Sequence, residues 1–126
     1  MTKKVLVVED ETLYRLMVKK TLEQHSIHCL SAEDGNQALA IFSENPCPCD
    51  LILTDLCMPG MDGVTLIKTV RKQEKESGDR PIPIVVLYAE KGEMVDAALQ
   101  LGVNDYFIKS ATLDTFIPRL QALLGV

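Results

Sequence analysis

The sequence predicts an α/β fold in which five parallel strands alternate with five helices. Short, almost wholly apolar runs recur along the chain, and such runs are typical of strands buried on both faces. Between them lie segments whose apolar residues recur at the spacing of an amphipathic helix. The 126 residues are enough for one domain with a working core, so we expect a single domain spanning residues 1–126.

Five runs are assigned as strands because each is short, apolar and bounded directly by polar residues. The third run is succeeded by Pro59 and two glycines, which indicate a tight loop before the next helix. The five predicted strands are residues 5–8, 27–32, 51–55, 84–87 and 106–108.

Each strand leads into a helix with one apolar face. Asp62 is placed to cap the third helix, and Gly78 and Gly102 end the third and fourth. Pro118 is tolerated only in a first turn, so the last helix begins near Thr115 or bends. The first helix, residues 12–25, is predicted to bury one face and expose the other. The predicted buried face carries Leu13, Leu16, Met17 and Leu22. The predicted exposed face carries Arg15, Lys19, Lys20 and Glu23.

The connections decide the topology. Short strand-to-helix links force right-handed crossovers, so the sheet is predicted to be parallel with helices on both faces. Two strand orders are common for such a chain, the dinucleotide-binding order and the flavodoxin-like order 2-1-3-4-5. Five strands favour the flavodoxin-like, doubly wound (βα)5 arrangement.

Composition excludes several function classes. A formal charge of −5 argues against direct binding to nucleic acid or to an anionic membrane surface. No long apolar segment or cleavable leader is recognisable, so we expect a cytoplasmic protein, and the first strand so close to Met1 suggests a natural N-terminus. The four cysteines are expected to be reduced; Cys47 and Cys49 are spaced C-x-C without a second pair, which argues against a zinc site.

Polar residues stand at the carboxyl ends of the strands. Glu9 and Asp10 come after the first strand, Asp55 ends the third, Tyr88 comes after the fourth and Lys109 after the fifth. In the order 2-1-3-4-5 the first and third strands are neighbours at the point where the winding reverses, so three carboxylates should converge there. Taken singly, a strand-end lysine or acids at a helix N-terminus could be purely structural, and their common edge is the feature that favours a site.

Three converging carboxylates favour a hard divalent cation, because like charges destabilise one another. Mg²⁺ accepts one or two carboxylates, waters and phosphate oxygens, so Glu9, Asp10 and Asp55 are predicted to hold Mg²⁺ directly or through water. Asp55 is then the candidate nucleophile for a phosphoryl group, forming an aspartyl phosphate, and the Lys109 ammonium would neutralise that group.

Three stretches resemble the receiver domain of two-component response regulators. They are VVEDE at residues 7–11, LTDLCMPGMDG at residues 53–63 and GVNDYFIK at residues 102–109, and the likeness covers nearly the whole chain. It implies that Asp55 is the phosphoacceptor for a phosphohistidine on a sensor histidine kinase or a histidine phosphotransfer protein. It also implies that the Cys57 carbonyl completes the Mg²⁺ shell, that Cys57 and Glu90 tune hydrolysis, and that Tyr106 is an aromatic switch residue.

Three positions depart from the family pattern. Glu9 stands where Asp is more usual, which lengthens one acidic side chain by a methylene, and water-mediated coordination should absorb the difference. Receivers normally have Ser or Thr where this chain has Tyr88, so the hydroxyl group that usually donates to the phosphoryl group is missing. The ring of Tyr88 could fill the space into which Tyr106 would turn. Alternatively, Tyr88 faces solvent. Ser110 replaces the usual proline after Lys109, which leaves open whether that peptide is cis or trans.

We therefore expect a receiver that is not an enzyme beyond its own phosphorylation and dephosphorylation. Its output would be a change in partner affinity through the face formed by the fourth helix, fifth strand and fifth helix. One alternative is a pseudo-receiver that binds partners without phosphorylation. A second is a Mg²⁺ phosphatase, which is disfavoured because Cys57 stands where such an enzyme needs a second Asp. A third is an FMN-binding module, which is disfavoured because the phosphate-binding loop after the first strand is missing.

Overall fold

The computed structural model describes residues 2–126 and contains five strands, five α-helices and one 3₁₀ turn. The strands are β1 Lys4–Val8, β2 His28–Ala32, β3 Leu51–Asp55, β4 Ile84–Tyr88 and β5 Asp105–Ile108. The helices are α1 Thr12–Gln24, α2 Gly35–Phe42, α3 Gly63–Ser77, α4 Glu93–Gln100 and α5 Ile117–Leu124, with the 3₁₀ turn at Leu113–Thr115. The predicted element order is confirmed, with boundaries shifted by a few residues.

The five strands form one parallel sheet in the order β2-β1-β3-β4-β5. This is the predicted doubly wound, flavodoxin-like topology. The register aligns the carboxyl ends: Val8 pairs with Thr54, Asp55 with Leu87, and Tyr88 with Ile108. Residues just beyond these ends therefore lie along one edge of the sheet.

Alternate residues of the strands supply two cores, one on each face of the sheet. One face packs against α1 and α5 through residues such as Val7, Leu53 and Phe116. The other packs against α2, α3 and α4 through residues such as Val8, Ile52 and Leu66. Burial on both faces explains why β4, and β3 as far as Leu53, are continuous apolar runs rather than alternating ones.

The predicted buried face of α1 is wrong at three of its four residues, and Leu22 is buried as predicted. Leu13, Leu16 and Met17 are 66%, 54% and 48% exposed, whereas Arg15 is buried together with Val18 and Leu22. The reason is a hydrogen bond 2.7 Å long, in which Nη1 of Arg15 donates to the backbone carbonyl of Glu9. This bond gives the buried guanidinium a partner, so Arg15 lies on the inward face with Val18 and Leu22, and the three exposed apolar residues of the helix lie on the outward face.

Two local predictions about helix ends are confirmed. Asp62 caps α3, because its Oδ1 accepts a hydrogen bond from the amide of Thr65 at 2.8 Å. Pro118 lies in the first turn of α5, after the 3₁₀ turn, where its missing amide costs nothing. Within residues 2–126 no helix has the length and apolarity needed to cross a membrane.

Candidate functional site

The carboxyl edge of the sheet opens into a cleft of about 600 Å³. The loops after β1, β3 and β4 form its walls, and Lys109 at the end of β5 closes one side. Seven predicted site residues meet here, because the cleft lining includes Glu9, Asp10, Asp55, Cys57, Tyr88, Glu90 and Lys109.

Lys109 joins two of the predicted carboxylates. Its Nζ donates to Oδ2 of Asp55 at 3.0 Å and to Oε1 of Glu9 at 3.0 Å. Oε2 of Glu9 is also 2.8 Å from Nζ, but at an angle that makes no hydrogen bond. The ammonium therefore balances the charge of two buried acids at once.

Burial and charge set the protonation of this group. Burial raises the pKa of Glu9; the hydrogen bond from Lys109 opposes that rise, and the negative charge of Asp55 adds to it. Burial alone would lower the pKa of Lys109, but its hydrogen bonds to Glu9 and Asp55 outweigh that effect, so its pKa is raised. Lys109 is therefore held in its charged form, which can balance negative charge in the cleft.

The three acids fit a divalent cation. One oxygen from each of Glu9, Asp10 and Asp55 lies within 4.8 Å of the others, and Asp10 is exposed to the cleft. Oε2 of Glu9 is buried and makes no hydrogen bond besides its 2.8 Å contact with the Lys109 ammonium, so it retains a lone pair for a metal-bound water. A set of carboxylate oxygens that is partly open to water is the donor set that Mg²⁺ prefers.

Asp55 is held by the loop that comes after β3. Its Oδ1 accepts a hydrogen bond from the amide of Leu56 at 2.7 Å, while Oδ2 faces Lys109. The amide of Gly63 donates to the carbonyl of Leu56 at 2.9 Å, and an added Cβ at Gly63 would clash with the carbonyl of Asp55. The loop packs so closely against the strand end that only glycine fits at this position.

Tyr88 does not turn to solvent, so that alternative is wrong. Its side chain is buried, with 7% of the residue exposed, and its ring lies 5.7 Å from the ring of Tyr106 between centroids, tilted by 45°. Tyr106 is half-buried behind Tyr88 and is not part of the cleft lining. The two aromatic residues therefore form a contact pair in which Tyr88 lines the acidic cleft and Tyr106 does not.

Sequence reasoning missed Tyr14. Nζ of Lys109 lies 5.0 Å from the centroid of the Tyr14 ring, within the range of a cation–π contact. Within the described residues the buried Tyr14 hydroxyl has no hydrogen-bond partner, and burial raises its pKa to about 12. The signal in the sequence was its position in the first turn of α1, three residues after the acidic run that follows β1.

The peptide between Lys109 and Ser110 is trans, which answers the question that the sequence left open. Lys109 nevertheless reaches both acids. The contact with Tyr14 offers a physical reason, because the ring flanks the ammonium on the side of α1.

Together, the doubly wound sheet and the acidic cleft at its carboxyl edge define a flavodoxin-like α/β domain with a candidate cation site. The family model for the response regulator receiver domain matches residues 5–121. The chain therefore belongs to the receiver domains of two-component response regulators.

Individual relatives support the same family assignment. The chain is 38% identical over 126 residues to the phosphate regulon transcriptional regulatory protein PhoB of Escherichia coli, covering 98% of this chain and 52% of that protein. It is 36% identical over 124 residues to the chemotaxis protein CheY homolog of Campylobacter jejuni, covering 97% and 92%. The chain thus spans about half the length of PhoB but nearly all of the CheY homolog.

A solved complex is also similar. The receiver domain of Ssk1, co-crystallised with the histidine phosphotransfer protein Ypd1 of Saccharomyces cerevisiae, superposes with a TM-score of 0.88 at 28% identity. The match covers 98% of this chain and 90% of that one.

Proposed function

We propose that this chain is a phosphoacceptor receiver in which Asp55 takes a phosphoryl group from a phosphohistidine. The observation that carries the proposal is the environment of the Asp55 carboxylate. It is buried at the base of the cleft, 3.0 Å from a lysine ammonium and grouped with two further acids. A purely structural aspartate would not need both a cation site and a fixed ammonium beside it.

The chemistry is a group transfer. The bond between phosphorus and the donor imidazole nitrogen breaks, a bond forms between phosphorus and an Asp55 oxygen, and the imidazole leaves neutral after taking up a proton. Lys109 then compensates charge on the phosphoryl oxygens. Glu9, Asp10, Asp55 and the Cys57 carbonyl would hold Mg²⁺, which supplies positive charge to the transferring group when bound.

The outward stripe of α1 supports a donor that docks as a protein. Leu13, Leu16 and Met17 form an exposed apolar patch one turn beyond Asp10 and Glu11, which line the cleft. A partner that covered this patch would bring a histidine side chain to the mouth of the cleft. We assign the patch to the sensor histidine kinase or histidine phosphotransfer protein that donates the phosphoryl group.

The face formed by α4, β5 and α5 is the proposed output surface. Leu99 on α4 and Ile108 on β5 are exposed apolar residues there; Ile108 pairs with the buried Tyr88 in the sheet, and the ring of Tyr106 contacts the ring of Tyr88. A change in the pair of tyrosines would therefore reach this surface directly. The chain is proposed to be cytoplasmic and to catalyse no reaction beyond its own phosphorylation and dephosphorylation.

The decisive experiment measures a phosphoryl adduct. The protein is incubated with Mg²⁺ and acetyl phosphate, or with a phosphorylated histidine phosphotransfer protein, and its intact mass is measured at once. We expect one base-labile adduct that is absent from Asp55→Asn and reduced when the divalent cation is chelated. Asp96→Asn is the matched control, because Asp96 is an exposed carboxylate on α4 away from the cleft.

Each other outcome contradicts the proposal in a different way. No adduct from any donor would favour a pseudo-receiver that binds partners without phosphorylation, an interpretation that the buried Tyr88 would support. Sustained release of phosphate from added phosphomonoesters would favour the phosphatase alternative. An adduct that persists in Asp55→Asn would place the phosphoacceptor elsewhere.

A further inference from the structure

The loop between α2 and β3 holds two thiols in contact. Sγ of Cys47 and Sγ of Cys49 lie 3.5 Å apart, Cys47 exposed and Cys49 buried. This loop is at the amino edge of the sheet, at the opposite end of β3 from Asp55. The pair is therefore separate from the acidic cleft and plays no part in the function proposed above.

The end of the loop is fixed. Oδ2 of Asp50 accepts a hydrogen bond from the Lys4 amide at 2.8 Å, and the Asp50 amide donates to the Lys4 carbonyl at 2.7 Å. Cys49 packs into the core formed with α2, α3 and α4. The buried thiol is thus held in place by the fold, and the exposed thiol is positioned directly beside it.

We propose that Cys47 and Cys49 are a thiol–disulfide modification site, in which the exposed Cys47 reacts with a low-molecular-weight disulfide and Cys49 resolves the adduct. The two sulfurs need to approach by about 1.5 Å to reach the disulfide bond length of about 2.05 Å. Within residues 2–126 no third His, Cys, Asp or Glu joins the pair at ligand distance, so a redox role fits the geometry better than a metal site.

The bonds and electrons balance with oxidised glutathione as the oxidant. The Cys47 thiolate attacks one glutathione sulfur, forming a mixed disulfide and releasing one glutathione thiolate. Cys49 then loses its proton to solvent, attacks the Cys47 sulfur and releases the second glutathione. Two electrons pass from the protein thiols to the glutathione disulfide, which becomes two thiols.

The surroundings fix the order of the two steps. Burial raises the pKa of Cys49, and negative charge on Cys47 raises it further, so Cys49 retains its proton while Cys47 is free. Once Cys47 is in a mixed disulfide, its negative charge no longer adds to the effect of burial on the pKa of Cys49. A cleft of about 1100 Å³, which both cysteines line beside the ends of α2 and α3, admits a tripeptide at Cys47.

The test is oxidation by glutathione disulfide, then blocking of free thiols and peptide mass mapping without reductant. In the wild type we expect the peptide holding both residues to lose two hydrogens and to carry no glutathione, reversibly with dithiothreitol. In Cys49→Ser the Cys47 adduct has no resolving thiol, so it should accumulate to a level about tenfold or more above wild type. In Cys47→Ser the buried Cys49 should stay unmodified.

The chain supplies its own controls. Cys57 is exposed but has no neighbouring thiol, so it should retain glutathione in every variant. Phosphorylation of Asp55 should be equal in wild type, Cys47→Ser and Cys49→Ser, which also shows that each variant is folded. The proposal is overturned if wild type and Cys49→Ser carry equal glutathione on Cys47, or if the bridge that forms involves Cys29, Cys57 or a second chain.

Discussion

Nζ of Lys109 lies 3.0 Å from Oδ2 of Asp55, so the ends of β5 and β3 are joined by an ion pair across β4, which lies between them in the sheet. The same ammonium contacts Glu9, which is fully buried. One cation therefore offsets two carboxylates that burial would otherwise leave uncompensated. A divalent cation bound to these acids would share that task, which makes the lysine and the metal energetically linked.

The first prediction concerns this linkage. Lys109→Met should lower the free energy of unfolding by about 1–3 kcal/mol in a chelating buffer, because it leaves buried acids without a counter-charge. Saturating Mg²⁺ should restore part of the loss, so Mg²⁺ should stabilise the variant more than the wild type. Urea unfolding with and without Mg²⁺ measures both quantities.

Lys91→Met is the matched control, because Lys91 is exposed and its Nζ contacts the ring of Tyr106 rather than the acids. Its response to Mg²⁺ should equal that of the wild type. If Mg²⁺ stabilised Lys109→Met no more than the wild type, the metal would not replace the lysine ammonium as a counter-charge for the buried acids.

A second prediction concerns the buried pair of tyrosines. Tyr88→Thr should destabilise the protein by about 2–4 kcal/mol, because it removes a buried ring and leaves a cavity. It should also enlarge the response of Tyr106 to beryllium fluoride and Mg²⁺, since space opens beside the Tyr106 ring and a hydroxyl stands near the cleft. With only three tyrosines in the chain, fluorotyrosine labelling and ¹⁹F NMR follow Tyr106 directly.

Tyr88→Phe retains the ring and is the control for this change. We expect it to keep both the stability and the small Tyr106 response of the wild type. A wild-type response as large as that of Tyr88→Thr would show that Tyr88 does not restrict Tyr106.

The sequence was sufficient to predict the sheet and the edge at which the candidate site lies. Strands buried on both faces are continuous apolar runs, and a parallel sheet places the residues after each run at one edge, so Glu9, Asp55 and Lys109 could be grouped before any coordinates. The direction in which a side chain points was harder to predict. Tyr88 at a strand end could face either the cleft or solvent, and packing against Tyr106 decided it.

The orientation of α1 shows the same limit. Three apolar residues at helical spacing describe a stripe but do not say whether the stripe is buried. Here Arg15 is buried instead, because a neighbouring carbonyl accepts its hydrogen bond, and Leu16 faces outward. A pattern of hydrophobicity cannot anticipate a single tertiary hydrogen bond, nor an apolar stripe that stays exposed.

A third prediction concerns Tyr14, whose pKa burial raises to about 12. In the unfolded chain a tyrosine loses its proton near pH 10, so between about pH 10 and 12 the folded state binds more protons than the unfolded state. The stability contributed by neutral Tyr14 is complete below pH 10 and is lost as the pH rises through this window. Tyr14→Phe should therefore lose less stability than the wild type between pH 9 and about pH 11.

Two measurements check this prediction. Urea unfolding as a function of pH gives the difference in slope, and tyrosinate absorbance of the folded proteins shows directly whether the late-titrating group disappears in Tyr14→Phe. Equal slopes, or a wild type in which all tyrosines titrate together near pH 10, would contradict the burial of the Tyr14 hydroxyl.

The last prediction separates the docking of a donor protein from the chemistry of transfer. Leu16→Glu places a charge in the exposed apolar patch of α1, and the side chain is already largely in solvent, so stability should change by less than about 0.5 kcal/mol. Transfer from a phosphorylated histidine phosphotransfer protein should slow about tenfold or more, because a charge buried in an apolar contact is costly. Phosphorylation by acetyl phosphate should be unchanged, since that small donor reaches Asp55 without covering α1.

Gln100→Glu, which adds the same charge at an exposed position on α4, is the control. Equal slowing with both donors would place Leu16 in the chemistry of the cleft, and no slowing with the protein donor would move the docking surface away from α1.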